Sequence, residues 1–325
     1  MTFPCSALYS EEFTAHELSR SRENKDRLLQ AISHIPTHVK IREPRPALVS
    51  DIERVHIPQH VRMIEQFSSY GGVHYIDMDT YVTGDSFRIA LLAAGSSIDA
   101  AERALGGEHC FALVRPPGHH AESGRAMGYC LFNNAAIAAA WALEKVDRVA
   151  IVDWDLHHGN GTQEIFYSSD RVLFCSVHQK GVFPGTGWID EIGEGRGMGF
   201  TLNAPLMPGC GINDYAYVFS EVFSEALSHF EPDLLIISAG QDPLWDDPLE
   251  GMRLLPQDFA LLARMLANTV DQPLSLVLEG GYGPSLGEAV AEIFRGLQSE
   301  EVPIPTGIPR ESTKRVVNQL KRVMI

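Results

Sequence analysis

Little in this chain could serve as covalent scaffolding. Five cysteines (Cys5, Cys110, Cys130, Cys175, Cys210) are scattered through 325 residues without a C-x-x-C pair. That spacing argues against a disulfide framework and a zinc ribbon, and reduced, largely buried thiols are expected. Cations are also scarce: 26 lysines and arginines stand against 42 aspartates and glutamates, a formal charge of −16. The balance argues against nonspecific nucleic-acid binding and mildly favours cationic partners. No apolar run is long enough to cross a bilayer. The opening MTFPCSALYSEEFTAHE lacks a basic segment followed by an apolar one, so no secretory leader is expected and the chain reads as cytoplasmic. There is no repeat and no Gly/Ser-rich linker, so residues 1–325 are expected to form one domain. The absence of a G-x-S-x-G elbow disfavours serine hydrolysis. GEGRGMG (193–199) lacks the G-x-G-x-x-G spacing of a dinucleotide loop.

What is present is an alternation. CFALVR (110–115), VAIVDWD (149–155), VLFCSVH (172–178), LLIISAG (234–240) and LSLVLEGGY (274–282) are short, apolar and followed by polar residues or glycine. Helix-like segments separate them, among them 133–146, 212–230 and 256–270. Strands apolar on both faces, alternating with helices, predict an α/β fold with a mostly parallel sheet covered on both sides. Ligands of such sheets collect beyond the carboxyl ends of the strands, where the polar clusters of this sequence lie.

VDWDLHHGNGT (152–162) holds the densest of these clusters. On extended backbone Asp155 and His157 project to one side and can meet one ion. Asp242, after LLIISAGQ, offers a third ligand. Two carboxylates and an imidazole with an open fourth position suit catalytic zinc, and ferrous iron accepts the same ligands. The histidine pair of RPPGHHAE (115–122), His119 and His120, suggests proton transfer near neutral pH. Tyr282 of EGGYG (279–283) could polarise a carbonyl. Tyr129 and Phe183 sit on glycine-rich loops, where they could wall a narrow slot or simply pack in the core.

With these motifs, in this order, the chain resembles the histone deacetylase and acetylpolyamine amidohydrolase superfamily. RPPGHHAE, AMGYCLFNN and VDWDLHHGNGTQEIFY are most similar to class II histone deacetylases and bacterial histone deacetylase-like amidohydrolases, and the likeness runs from about residue 20 to 300. The resemblance implies the arginase/deacetylase-like three-layer αβα fold with a mostly parallel eight-stranded sheet. It implies zinc-dependent removal of an acetyl or related acyl group from an amine, acetyl-lysine being favoured over acetylpolyamines. It makes Asp155, His157 and Asp242 the zinc ligands, Tyr282 the carbonyl-polarising group, and Asp153 and Asn160 the partners of His119 and His120. It also implies a potassium ion at Asp153, Asp155, His157, Ser176 and Val177. Gln241 departs from the Phe that many relatives carry. Binuclear arginase-type ureohydrolases share the fold, but DLHHG and GQDPLW lack their additional carboxylates. A noncatalytic acetyl-amine binder is the rival outside enzymes.

Overall fold

A computed structural model describes residues 3–249, 251–299 and 305–324. Its strands are β1 (Cys5–Leu8), β2 (Lys40–Arg42), β3 (Val73–Tyr75), β4 (Tyr81–Thr83), β5 (His109–Ala112), β6 (Val149–Asp153), β7 (Val172–Gln179), β8 (Thr201–Leu206), β9 (Leu234–Ala239) and β10 (Leu274–Leu278). Eight of them form one sheet in the order β2-β1-β5-β10-β9-β6-β7-β8, and β3 pairs separately with β4. All pairings reported within the large sheet are parallel. Helices flank it, and the central strands are buried on both faces, as their unbroken apolar composition requires.

The helices carry local signals. Asn133 caps the helix Asn134–Ala142 by accepting a hydrogen bond from the Ala136 N–H at 3.0 Å. In the helix Pro256–Val270, Pro256 takes the first turn, where no N–H is needed, and Asp258 accepts the Leu255 N–H at 2.8 Å. The segment 212–230 is helical throughout but passes through a π-helical stretch at Phe219–Phe223.

Three strands of the large sheet have no counterpart in the apolar runs of the sequence. β1 and β2 are only four and three residues long. β8 includes Asn203 and Pro205, which its position at the sheet edge accommodates. No helix among the described residues is long and apolar enough to span a membrane, and all five cysteines are buried and unpaired.

β5, β10, β9 and β6 are consecutive neighbours in the middle of the sheet. The segments leaving their carboxyl ends carry RPPGHH, EGGYG, GQD and DLHH, so the fold delivers four clusters to one place.

His109 tests how buried imidazoles tie stability to pH. It lies at the start of β5, accepts the Leu274 N–H through Nδ1 at 2.9 Å, and is pushed down to about 4, chiefly by burial. The unfolded chain therefore binds a proton below its ordinary value of about 6.5 that the folded chain refuses until about 4. This contribution is harmless above pH 6.5 and destabilises progressively as the pH falls toward 4. Denaturant melts of His109→Gln, which retains an acceptor and cannot titrate, should show a pH slope shallower by about one proton in that window.

Candidate active site

Asp155, His157 and Asp242 converge as expected from the two strand ends, with one ligand atom from each lying within 4.8 Å of the others. His157 Nδ1 is 3.3 Å from Asp155 Oδ1 and 3.0 Å from Asp242 Oδ2. Backbone donors fix the carboxylates: the Gly280 N–H donates to Asp155 Oδ2 at 2.8 Å, and the Leu156 N–H donates to Asp242 Oδ1 at 2.9 Å. Glycine is needed around them. A Cβ on Gly240 would lie 2.0 Å from Asp155 Oδ2, and one on Gly280 would lie 2.6 Å from Asp242 Oδ2.

This cradle fits a divalent cation. Burial and the charge of Asp155 push the Asp242 carboxyl up. Burial opposes ionisation of Asp155 too, but His119 and His157 hold it below the usual carboxylate range. His157 is held above its ordinary value because its bonds to both carboxylates outweigh burial. Two facing buried carboxylates concentrate negative charge, and an ion held by oxygen and imidazole donors would relieve it. Among the described residues, no other group of three or more metal-ligating side chains is assembled.

The histidine pair lies beside this triad with ring centroids 4.0 Å apart. His119 Nδ1 is 2.9 Å from Asp153 Oδ2, and His120 Nδ1 is 2.8 Å from Asn160 Oδ1. The two partners differ in charge, and so do the two rings. Burial would neutralise His119, but Asp155 and Asp153 outweigh it and hold the ring well above its ordinary value. Burial, reinforced by the charges of His119 and His157, holds His120 well below. The geometry supplies one cationic and one neutral imidazole side by side.

Tyr282, Tyr129 and Phe183 line the same cleft, whose volume is about 440 Å³. The Tyr282 phenol is raised by burial and by Asp242, with Arg27 opposing, so it remains a proton donor. Tyr129 lies 5.7 Å from it, ring to ring, and the Phe183 ring meets His120 edge-on at 4.9 Å. Phe183 is 47% exposed, which removes core packing as its explanation. Asp153 and Ser176 are paired across β6 and β7, with Val177 buried next in line.

Other contributors had no local signal in the sequence. Glu279 is fully buried and accepts the Gly118 and His119 N–H groups at 2.6 and 3.1 Å, tying the histidine turn to β10. Arg115 forms a buried two-point ion pair with Glu23, at 2.7 and 2.9 Å. Arg27 donates to the carbonyls of Gly281 at 2.6 Å and Glu279 at 2.5 Å, and its guanidinium lies 4.7 Å from the centre of the Tyr282 ring. Glu279 belonged to a quoted motif, but partners more than 90 or 250 positions apart could not be paired by spacing.

Comparison with known proteins shows the family of the chain. The histone deacetylase domain model matches residues 17–297. The chain belongs to the histone deacetylase family. It is 41% identical over 290 residues to a probable deacetylase of Archaeoglobus fulgidus, covering 85% of this chain and 80% of that protein. It is 39% identical over 296 residues to a histone deacetylase-like amidohydrolase of Pseudomonas aeruginosa, covering 86% and 78% respectively. A crystal structure of the HDA15 HD domain superposes with a TM-score of 0.93 at 33% identity, over 99% of this chain and 94% of that one. Within this deacetylase frame Gln241 occupies a buried position. Its Nε2 donates to the Ala239 carbonyl at 2.8 Å, its Oε1 has no partner among the described residues, and Asp242 stays in place.

Gly240→Ala offers a test of the cradle that leaves every ligand in the sequence. The added methyl has no space beside Asp155, so affinity for a divalent cation, measured with zinc as the probe in competition with a chelator, should fall by at least roughly tenfold. Unchanged affinity would show that the carboxylate can move aside.

Proposed function

We propose that this deacetylase-family hydrolase is zinc-dependent and removes an acetyl or related acyl group from an amine, with acetyl-lysine preferred to acetylated polyamines. The observation that carries the proposal is the meeting, in one cleft, of the Asp155, His157 and Asp242 triad, the unequal pair His119 and His120, and the Tyr282 hydroxyl. Zinc held by the triad would supply a Lewis acid and make a water easier to deprotonate near neutral pH, with ferrous iron as the alternative ion. The hydroxyl of Tyr282 donates to the oxygen that becomes negative as the carbonyl is attacked. His120, kept neutral, takes a proton from the attacking water and passes one to the leaving amine. His119, held charged against Asp153, steadies developing negative charge and orients its neighbour. Tyr129 and Phe183 grip an aliphatic stem between them. A potassium ion at Asp153, Asp155, His157, Ser176 and Val177 is part of the proposal as a structural element.

Relatives named as histone deacetylases support the acetyl-lysine preference. The additional carboxylates of a binuclear ureohydrolase have no counterpart in this triad. A noncatalytic binder would have no use for a neutral base beside a protonated phenol.

Turnover of an acetyl-lysine peptide, acetylated spermidine and longer acyl-lysines by the zinc-loaded protein should reveal an amidase, with kcat/KM highest for acetyl-lysine. A hundredfold preference for the polyamine would reverse the substrate choice and leave the chemistry intact. Tyr282→Phe should retain zinc and fold but lose roughly two to three decades in kcat with little change in KM. Near-normal turnover would remove Tyr282 from its role.

A further inference from the structure

Tyr282 stands on no regular element. It follows Gly281, whose φ is +112°, between β10 and the helix Leu286–Gln298, so the aim of its hydroxyl depends on whatever holds that turn. Arg27 holds the turn from one side through the two carbonyls described above. From the other side the Tyr282 N–H itself donates to Asp247 Oδ2 at 2.6 Å. Asp247 is buried, and its second oxygen, Oδ1, accepts the Leu249 N–H at 2.9 Å. Leu249 lines the cleft together with Tyr282. The two turns are packed closely, since a Cβ on Gly283 would lie 3.1 Å from the Asp247 Cα, and Ser285 Oγ donates to Asp246 Oδ2 at 2.6 Å.

We propose that Asp247 is a positioning residue for the reaction: its carboxylate ties the backbone of Tyr282 to the cleft wall at Leu249 and so sets where the phenol points. The proposal rests on the assignment of Tyr282 to the developing oxyanion. It requires a carboxylate. Two backbone N–H groups approach two different oxygens, and an asparagine, with one amide oxygen and one NH₂, can satisfy only one of them. A charged acceptor also makes the stronger bond to each N–H.

If Asp247 acts through Tyr282, its removal costs turnover only while the phenol is present. The test is a double-mutant cycle on kcat with zinc-loaded wild type, Asp247→Asn, Tyr282→Phe and the double variant, using an acetyl-lysine peptide, with zinc content and Tm measured for each. Asp247→Asn should keep its zinc and lose roughly ten- to a hundredfold in kcat. The double variant should match Tyr282→Phe within about twofold. KM should rise in both backgrounds, because the Leu249 wall is loosened whether or not the hydroxyl is there.

Losses in kcat that multiply in the double variant would overturn the proposal while leaving the role of Tyr282 standing. So would an Asp247→Asn kcat within about twofold of wild type. Near-normal turnover of Tyr282→Phe, or a wild type inert toward the peptide, would overturn the underlying reading and this one together. Should Asp247→Asn fail to fold, Asp247→Glu enters the same cycle. It keeps both acceptor oxygens but displaces them by a methylene, and the same non-multiplying pattern is expected with a smaller loss.

Discussion

Buried negative charge at one end of the sheet is the constraint around which this molecule is arranged. Asp153, Asp155, Asp242 and Glu279 are all fully buried. Isolated carboxylates in such a place would cost several kcal/mol each unless protonated or compensated. Compensation comes from loops that have come from elsewhere in the chain: Gly280 and Leu156 lend N–H groups to Asp155 and Asp242, Gly118 and His119 to Glu279, and the His119 ring faces Asp153. Each carboxylate leaves one segment and has at least one partner on another. The electrostatic requirement therefore pulls four loops into register, and the cleft follows from their closure.

The same arrangement separates the two histidines chemically. Adjacent in sequence and nearly touching in space, they differ mainly in what stands behind each ring. Asp155 and Asp153 hold the His119 ring well above its ordinary value, and burial, reinforced by the charges of His119 and His157, holds His120 well below. The asymmetry needs no difference in exposure, since both rings are buried. A second level of ion pairing lies deeper, where Glu23 joins Arg115, at the root of the histidine turn, to Arg27, against the tyrosine turn.

Much of this was legible because the decisive residues are local. Asp155 and His157 are two positions apart on extended chain, and each cluster follows an apolar run, so a parallel sheet carries them to its carboxyl end. The central strands β6, β7, β9 and β10 were visible as unbroken apolar stretches. β1 and β2 were too short to show a period, and β8 carried the polar and proline residues that an edge tolerates. The buried ion-pair network escaped for a different reason. Glu23 and Arg27 lie in a polar segment that reads as an ordinary solvated helix start, and nothing in that segment announces partners at Arg115 or Gly281. Phe183 could be read as core or as cleft wall until its exposure decided the matter. Asp247 was hidden in the same way, since its role arises where two turns meet.

The bond from Arg27 to the turn at Tyr282 spans 254 positions. Arg27 is therefore synthesised long before its partner, and Asp155, His157 and Asp242 precede Tyr282 as well. Contacts of such long sequence separation form late and slowly. Until residues 274–282 have been added, the sheet lacks β10 from its middle and the cleft lacks the Tyr282 turn. On this topology the phenol is placed only after segments 254 positions apart have met.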